Sequence, residues 1–153
     1  MLNVVELRIT PTVKTKGNQL YLYVWPKSSR ERREEVLREW YRVRLQKLLS
    51  PMVDEWAERL GETNFTWQVQ KMLNRWGSCT VKTRFIRFNL DLARVPRQCI
   101  EYIVVHELTH LNVAKHNKMF EMLLDKQMPD WRKRREELNN FIALPLVASF
   151  IGS

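Results

Sequence analysis

The chain has 153 residues, of which 44% are hydrophobic, and its 26 Lys and Arg against 17 Asp and Glu give a formal net charge of +9. These values predict one soluble globular domain, residues 1–153, and exclude disordered and fibrous chains. No apolar run reaches the roughly 18 residues of a membrane span, and the start of the chain lacks the pattern of a secretory signal. Cys79 and Cys99 form no C-x-x-C pair, so we expect two reduced thiols in a cytoplasmic protein.

The first section, residues 1–26, is predicted to be β structure. Residues 4–9 and 19–25 have the composition of short strands. The polar segment 14–18 between them contains Gly17, which supplies the positive φ that a hairpin turn needs. We therefore predict a hairpin between these two strands.

The next section, residues 28–60, is predicted to be helical. Ser28 lies three residues before Glu31, which is the pattern of a capping box at the start of a helix. Apolar residues then recur at helical spacing up to Leu49. The Ser-Pro pair at 50–51 predicts the end of this helix and the start of a shorter one.

The section 65–92 changes to a period of two. Residues 65–70 alternate Phe, Trp and Val with polar residues, and residues 86–92 alternate Ile, Phe and Leu with Arg, Asn and Asp. Such alternation is typical of half-buried strands. The segment 74–84 between them contains one glycine and a polar turn, so we predict a β-hairpin sheet.

The last section, residues 96–142, is predicted to be helical again. Pro96 suits the first position of a helix, and the helix that follows is apolar around much of its circumference, so we expect it to be buried. Further helices are predicted over 117–127 and 130–142. Strands followed by helices indicate an α+β fold rather than an alternating α/β fold.

All three histidines of the chain lie within HELTHLNVAKH, residues 106–116. His106 and His110 are four residues apart, so on a helix they share a face and their ring nitrogens can converge on one ion. Glu107 is offset by about 100°, which lets it act on a water at an open metal position instead of binding the metal. Because imidazole is a common zinc ligand, the segment predicts a zinc site.

His116 is the predicted third ligand, because a catalytic zinc has three protein ligands and one open position. On an ideal helix His116 would lie about 80° from the face of the other two histidines, so the helix must end or bend between 111 and 116. Val113 stands where a metzincin has glycine, which argues against that clan. A bound cation and its water would also offset the cost of burying an unpaired Glu107 on an apolar helix.

Several segments around the histidines occur together and in a fixed order. They are RWGSCT at 75–80, IRFNLDLARVP at 86–96, IEYIVVHELTHL at 100–111, HNKMF at 116–120 and PDWRKRR at 129–135. In this combination the chain resembles the YgjP-like metal-dependent hydrolases, which are related to the SprT-like and WLM zincin metallopeptidases. The resemblance covers roughly residues 65–135.

The resemblance implies a small zincin-like domain, with a short β-sheet packed on a buried HExxH helix and additional flanking helices. It implies that the three histidines bind zinc and that Glu107 activates water, which is the chemistry of a zinc-dependent metallopeptidase acting on proteins or peptides. One position departs from the family, which has Trp where this chain has Glu121. We expect Glu121 to be a solvated helix residue rather than a partner of a histidine or a third ligand.

In zincins a strand edge beside the catalytic helix pairs with an extended peptide. We expect residues 76–80 to form this edge, because a glycine in a strand suggests close approach of another backbone. The candidate substrate-binding residues are Arg75, Trp76, Gly77, Ser78 and Asn89, of which Arg75 and Asn89 are also the candidates for stabilising the oxyanion. Cys79 is expected to be a small buried thiol.

Two other functions are compatible with the same metal site. A phosphohydrolase acting on nucleotides would use the positive charge of the chain to attract an anionic substrate. A zinc-structured module that binds nucleic acid or protein would need a fourth ligand, which Cys79 or Cys99 would have to supply.

The basic clusters and the C-terminal tail leave alternatives open. The arginines of 30–44 and the run at 132–135 could contact DNA, but glutamates interleave or follow them. We favour solvated faces with ion pairs at i, i+4, such as Glu34 with Arg38. The apolar tail at 141–153 is too short to span a bilayer, and it packs either on the domain or on a partner subunit.

Overall fold

The computed structural model describes residues 2–6, 12–24 and 29–141. This part of the chain is α+β, as predicted. Its contacts divide it into two compact units, with the boundary between Arg44 and Leu45. The apolar tail from residue 142 onward lies outside the described residues. The elements in chain order are β1 (Leu2–Glu6), β2 (Thr12–Lys16), β3 (Gln19–Val24), α1 (Arg30–Leu60), β4 (Thr66–Gln70), β5 (Gly77–Thr80), β6 (Phe85–Asn89), a short 3-10 helix (Leu90–Arg94), α2 (Arg97–His110), α3 (Lys118–Gln127) and α4 (Trp131–Asn139).

The sheet of the N-terminal unit has the strand order β1–β3–β2. β2 and β3 pair antiparallel around a turn in which Gly17 has a φ of +60°, whereas β1 pairs parallel to β3. The prediction that residues 4–9 form the hairpin partner of β3 is therefore wrong. The true partner was missed because β2 has the sequence TVKTK, in which Val13 alone is apolar.

α1 begins one residue later than the capping box predicts. The Oγ of Ser29 accepts a hydrogen bond of 3.1 Å from the backbone N–H of Arg32, so Ser29 caps the helix. Ser28 lies outside the described residues.

α1 then continues through Pro51, and the predicted break at 50–51 is wrong. Proline removes one helical hydrogen bond, but the freed carbonyl belongs to Lys47, which is exposed and can bond to water. In the second unit, apolar side chains of α1 are buried on both sides of the proline. They are Leu45, Leu49, Met52, Val53, Trp56 and Ala57. This packing keeps the helix continuous.

The sheet of the second unit has the strand order β4–β6–β5. β4 and β6 pair in parallel, and β5 pairs antiparallel with β6, so the predicted hairpin between 65–70 and 86–92 is wrong. β5 lies in the connection between them, and its sequence GSCT has no alternating apolar pattern. β6 ends at Asn89 because the Asn89 side chain accepts a hydrogen bond from Asp91 N and caps the 3-10 helix.

α2 is the central helix of the second unit. Pro96 precedes it as the N-cap residue, and the helix contacts β5, α3 and α4. Its apolar side chains are almost completely buried: Ile100, Val104, Val105 and Leu108 are each at most 2% exposed. A helix buried around most of its circumference holds its polar side chains in a fixed environment.

No helix in the described ranges is both long enough and apolar enough to cross a membrane.

Candidate metal centre

Three histidines meet at the end of α2. The Nε2 atoms of His106 and His110, one helical turn apart, are separated by 3.2 Å. The Nε2 atom of His116 lies 2.8 Å from that of His110 and 3.1 Å from that of His106. Nitrogens that bind one tetrahedral zinc at about 2.0–2.1 Å lie roughly 3.3 Å apart, so the three nitrogens converge as the ligands of a single ion would.

The end of α2 allows His116 to reach the other two rings. Backbone hydrogen bonds between residues three apart close the last turn of α2. Leu111 N donates to Leu108 O, and Asn112 N donates to Thr109 O. Residues 113–117 are not helical. The next helix, α3, begins after Asn117, whose side chain accepts a hydrogen bond from Phe120 N. The helix thus ends where the spacing of the histidines requires.

The tautomer of His110 is fixed by the backbone. Its Nδ1 lies 3.1 Å from the carbonyl oxygen of Val113. A carbonyl can only accept, so Nδ1 carries the proton and, in the neutral ring, Nε2 presents a lone pair to the other two histidines. This is the form that a metal ligand requires. The sequence gives no sign of this contact, because the acceptor is a main-chain atom.

His106 has a partner that sequence reasoning missed. The hydroxyl of Tyr102 lies 3.4 Å from His106 Nδ1. The Tyr102 ring is buried and stacks on Trp131, with 6.3 Å between the centroids, and Trp131 Nε1 donates to Asp125 Oδ1 at 2.7 Å. The available signal was position, since Tyr102 and His106 are four residues apart on one helix face.

Phe120 supports all three imidazoles. Its ring centroid lies 5.0 Å from that of His106, 4.6 Å from that of His110 and 5.0 Å from that of His116. Phe120 is 2% exposed. Its buried ring packs against the three imidazoles and limits their movement.

The environment favours the neutral form of His106 and His110. Burial, with the neighbouring His110 and His116, lowers the pKa of His106 to about 3. Burial likewise lowers the pKa of His110, and the hydrogen bond to Val113 acts in the opposite direction. Neutral imidazole is the metal-binding form.

Glu107 is buried beside the histidines. Its Oε1 lies 4.0 Å from His106 Nε2, and its Oε2 has no hydrogen-bond partner in the described chain. Burial raises the pKa of Glu107 to about 8, and the positive charge of Arg75 opposes the shift. A buried carboxylate oxygen without a partner is unfavourable, so the residues fit a divalent cation whose water would bond to this oxygen.

A cleft of about 550 Å³ opens over these residues, and β5 forms one of its walls. At Gly77, an added Cβ would lie 3.1 Å from both Glu107 Cγ and Ile103 Cγ2. Glycine therefore allows β5 to pack directly against the glutamate. β5 is an edge strand, and no other strand of the described sheet pairs with its outer side.

The five candidate substrate residues divide into two groups. Arg75, Trp76, Gly77 and Ser78 line the cleft. Asn89 is 1% exposed and is not among the lining residues. Its amide donates to the carbonyls of Met72 and Arg75 at 3.1 and 2.6 Å, so it fixes the loop that carries the other four.

Cys79, Cys99 and Glu121 are the other residues for which the sequence suggests alternative roles. Cys79 lines the cleft, but the group of converging ligand atoms contains the three histidines and no cysteine of the described chain. Burial raises the pKa of Cys79 to about 11, with the charge of Glu107 acting in the same direction. The buried Cys99 donates its thiol to Arg134 O at 3.7 Å. Glu121 is exposed and lies 3.9 Å from Arg132, as expected of a solvated residue.

The three arginines of the basic run at 132–135 contact other residues of the protein. Arg132 pairs with Asp125 at 2.6 Å, and Arg134 pairs with Glu101 at 2.6 Å and with Asp130 at 3.1 Å. Arg135 lies over the Trp131 ring, 4.9 Å from its centroid. These contacts support the interpretation of a solvated, ion-paired face.

A second groove of about 540 Å³ lies within the N-terminal unit. It is lined by apolar residues such as Val36 and Trp40 and by charged residues such as Glu35 and Arg32, which pair at 3.0 Å. Its lining contains no histidine or cysteine of the described chain. We therefore place the candidate chemistry in the cleft over α2.

Comparison with solved structures identifies proteins of similar fold. The chain is similar to the metallopeptidase zymogen jannalysin of Methanocaldococcus jannaschii, with a TM-score of 0.53 and 20% identity over 59% of this chain and 92% of that one. It is similar to the metallopeptidase zymogen abylysin of Pyrococcus abyssi, with a TM-score of 0.55 and 16% identity over 59% and 90%. At such identities the similarity shows the fold alone, which the chain shares with these two solved structures.

The family follows from a separate comparison. The chain belongs to the YgjP-like family, described as a metallopeptidase domain, whose match covers residues 2–141. The resemblance found in the sequence is thus confirmed, and the match extends beyond residues 65–135. A comparison with curated proteins gives no match.

Proposed function

We propose that the protein is a zinc-dependent peptidase in which His106, His110 and His116 bind the metal and Glu107 is the general base. The observation that carries this proposal is the convergence of three imidazole nitrogens beside a buried carboxylate oxygen without a partner in the described chain. Membership of a metallopeptidase-domain family supports the same reaction class.

When bound, a zinc ion would polarise the scissile carbonyl and lower the pKa of a water molecule. Glu107 would accept a proton from the water molecule that attacks the carbonyl carbon, and would donate it to the amine released when the C–N bond breaks. Burial raises the pKa of this carboxyl group to about 8 in the metal-free chain, and the charge of a bound zinc ion would lower it toward the ionised form that a general base requires. The Phe120 ring and the hydrogen bonds of His106 and His110 would hold the imidazole rings in place during proton transfer.

We propose that the substrate is an extended polypeptide that pairs with the outer edge of β5. The cleft beside this edge is large enough for several side chains. Main-chain pairing of this kind supplies affinity that depends little on sequence. Trp76 and Ser78 would then contact substrate side chains, while Gly77 keeps the peptide backbone close to Glu107.

The direct test compares hydrolysis of an unfolded protein by the wild type and by Glu107→Gln, with zinc per chain measured for both. We expect Glu107→Gln to retain zinc and to lose activity by roughly 10²–10⁴-fold, the usual contribution of a general base. Glu121→Gln is the matched control, because Glu121 is an exposed glutamate outside the ligand group. Full activity of Glu107→Gln would refute the mechanism.

The same assays separate the two other functions. A nucleotide panel tests for a phosphohydrolase, which would cleave nucleotides but not the protein substrate. Cys79→Ser and Cys99→Ser test for a structural zinc with a fourth, cysteine ligand. We expect both variants to retain zinc, because neither sulfur belongs to the converging ligand group.

A further inference from the structure

The cleft contains a guanidinium that has no partner within the described chain. Arg75 is exposed and lines the cleft, and its side chain forms no ion pair or hydrogen bond with a described residue. Two arginines elsewhere in the second unit are paired: Arg84 lies 2.9 Å from Glu62, and Arg134 lies 2.6 Å from Glu101. An unpaired arginine in a cleft is available to a ligand.

The backbone that carries Arg75 is held firmly. The buried amide of Asn89 donates to Arg75 O at 2.6 Å, and Asn89 N donates to Trp76 O at 2.9 Å. The carbonyls of Arg75 and of the next residue, Trp76, are therefore both bonded to Asn89, the last residue of β6. Pre-organisation of this kind lowers the entropy lost when the side chain binds a ligand.

Arg75 is also close to the site of the reaction. Gly77, two residues further along, packs against Glu107, with 3.2 Å between the position of an added Cβ and Glu107 Oε2. The positive charge of Arg75 acts on Glu107. A substrate group near the scissile bond would therefore lie within reach of the guanidinium.

Apart from the three histidines, the described cleft lining carries two charged side chains. Arg75 is its single Lys or Arg, and Glu107 is its single carboxylate among the described residues. Because Glu107 is needed for proton transfer in the proposed mechanism, it does not neutralise Arg75 in the substrate complex. A carboxylate of the substrate would supply the complementary charge.

We propose that Arg75 selects peptides that carry a carboxylate within a few residues of the scissile bond. This inference rests on the proposed peptidase function. A guanidinium binds a carboxylate through two parallel hydrogen bonds, which gives both affinity and orientation. The carboxylate can belong to an Asp or Glu side chain or to the C-terminus of the peptide.

The test uses the zinc-loaded full chain and two sets of peptides. In the first set, Glu is compared with Gln and Lys at each position around the scissile bond; in the second, a free C-terminus is compared with an amide. For the best pair we expect wild-type kcat/KM to favour the carboxylate by about tenfold, as for one charge-assisted interaction. Arg75→Gln should reduce this ratio to about one, and Arg75→Glu should favour the Lys peptide.

Lys82→Gln is the matched control, because it removes the same charge from an exposed turn outside the cleft. It should keep the tenfold preference. Zinc content, measured for every variant, separates a change of specificity from loss of the metal site.

Equal wild-type cleavage of acidic and neutral peptides in both sets would overturn the proposal and leave the peptidase function intact. If the zinc-loaded wild type cleaves no peptide, the proposed function itself fails. If nucleotides are hydrolysed instead and Arg75→Gln abolishes that activity, the bound anion is a phosphate and the proposal is also wrong.

Discussion

Glu107 is 3% exposed, and its Oε2 contacts no hydrogen-bond donor in the described ranges. The three imidazoles beside it are held so that their Nε2 atoms face one another at 2.8–3.2 Å. A buried oxygen without a partner destabilises the folded state, and ring nitrogens that face one another bring their lone pairs together. A divalent cation with a water molecule would satisfy both, so these residues are arranged for binding rather than for stability.

Replacing Glu107 by Gln should stabilise the metal-free protein, and increasingly so as the pH rises. The pKa of Glu107 is raised by burial from its usual 4.5 to about 8. The stability linked to its protonated form is therefore fully present below about pH 4.5 and is lost as the pH rises through about 8. We expect the difference in free energy of unfolding between variant and wild type to grow by up to about 1 kcal/mol per pH unit in this window.

Urea unfolding in the presence of a chelator, at several pH values across this window, measures that difference. Glu121→Gln should show no such trend, because the carboxylate of Glu121 is exposed. A difference that does not change with pH would mean that Glu107 is not buried in an uncharged form.

Removing the hydroxyl of Tyr102 should weaken zinc binding. An acceptor on the second nitrogen of a metal-binding histidine orients the ring, and its loss lowers metal affinity by roughly 10–100-fold. Because the contact here is long, at 3.4 Å, we expect Tyr102→Phe to lower the zinc affinity by about tenfold, the lower end of this range. The phenylalanine ring keeps the stacking on Trp131, so the fold should be retained.

Competition with a chromophoric chelator measures the affinity. Tyr23→Phe in the N-terminal unit is the control, because Tyr23 contacts Tyr21 and Lys14 rather than the histidines. Unchanged affinity in Tyr102→Phe would show that the hydroxyl does not orient His106.

The elements differ in how far their sequences predict them. α2 was predictable because Pro96 and a nearly continuous apolar surface specify a buried helix, and the spacing of the histidines required it to end before His116. The strand pairing was not predictable, since β2 and β5, the antiparallel partners of β3 and β6, are short strands without an alternating apolar pattern. The register between separated strands is also set by tertiary packing. The same limit applies to Tyr102. Its spacing from His106 is visible in the sequence, but its contact with His106 depends on how the Tyr102 ring packs against Trp131 of α4.

Adding a methyl group at Gly77 should reduce catalysis without removing the metal. In Gly77→Ala the new Cβ would lie 3.1 Å from Glu107 Cγ and 3.2 Å from its Oε2, which is closer than ordinary contact. Either β5 or the glutamate must move, and displacement of a general base by a fraction of an ångström lowers the rate by roughly tenfold or more.

Steady-state kinetics with zinc quantification test this expectation. Thr80→Ala, at the exposed end of the same strand, should have wild-type activity. Wild-type kcat in Gly77→Ala would show that β5 is not packed tightly against Glu107.

Across the whole molecule, the family match spans the described parts of both units, whereas the residues of the candidate site all belong to the second. The net charge of +9 does not by itself indicate a partner, because arginines such as Arg132 and Arg134 are engaged in ion pairs. Contact with DNA and a cytoplasmic location both stay predictions. A binding titration with DNA at low and high salt tests the first of them.

The most direct measurement of the metal site is zinc K-edge X-ray absorption on the purified chain loaded with one equivalent of zinc. We expect three imidazole nitrogens and one further light atom at about 2.0–2.1 Å, with His116→Ala losing one imidazole. A sulfur neighbour at about 2.3 Å, or a wild-type spectrum unaffected by His116→Ala, would contradict a catalytic site formed by the three histidines.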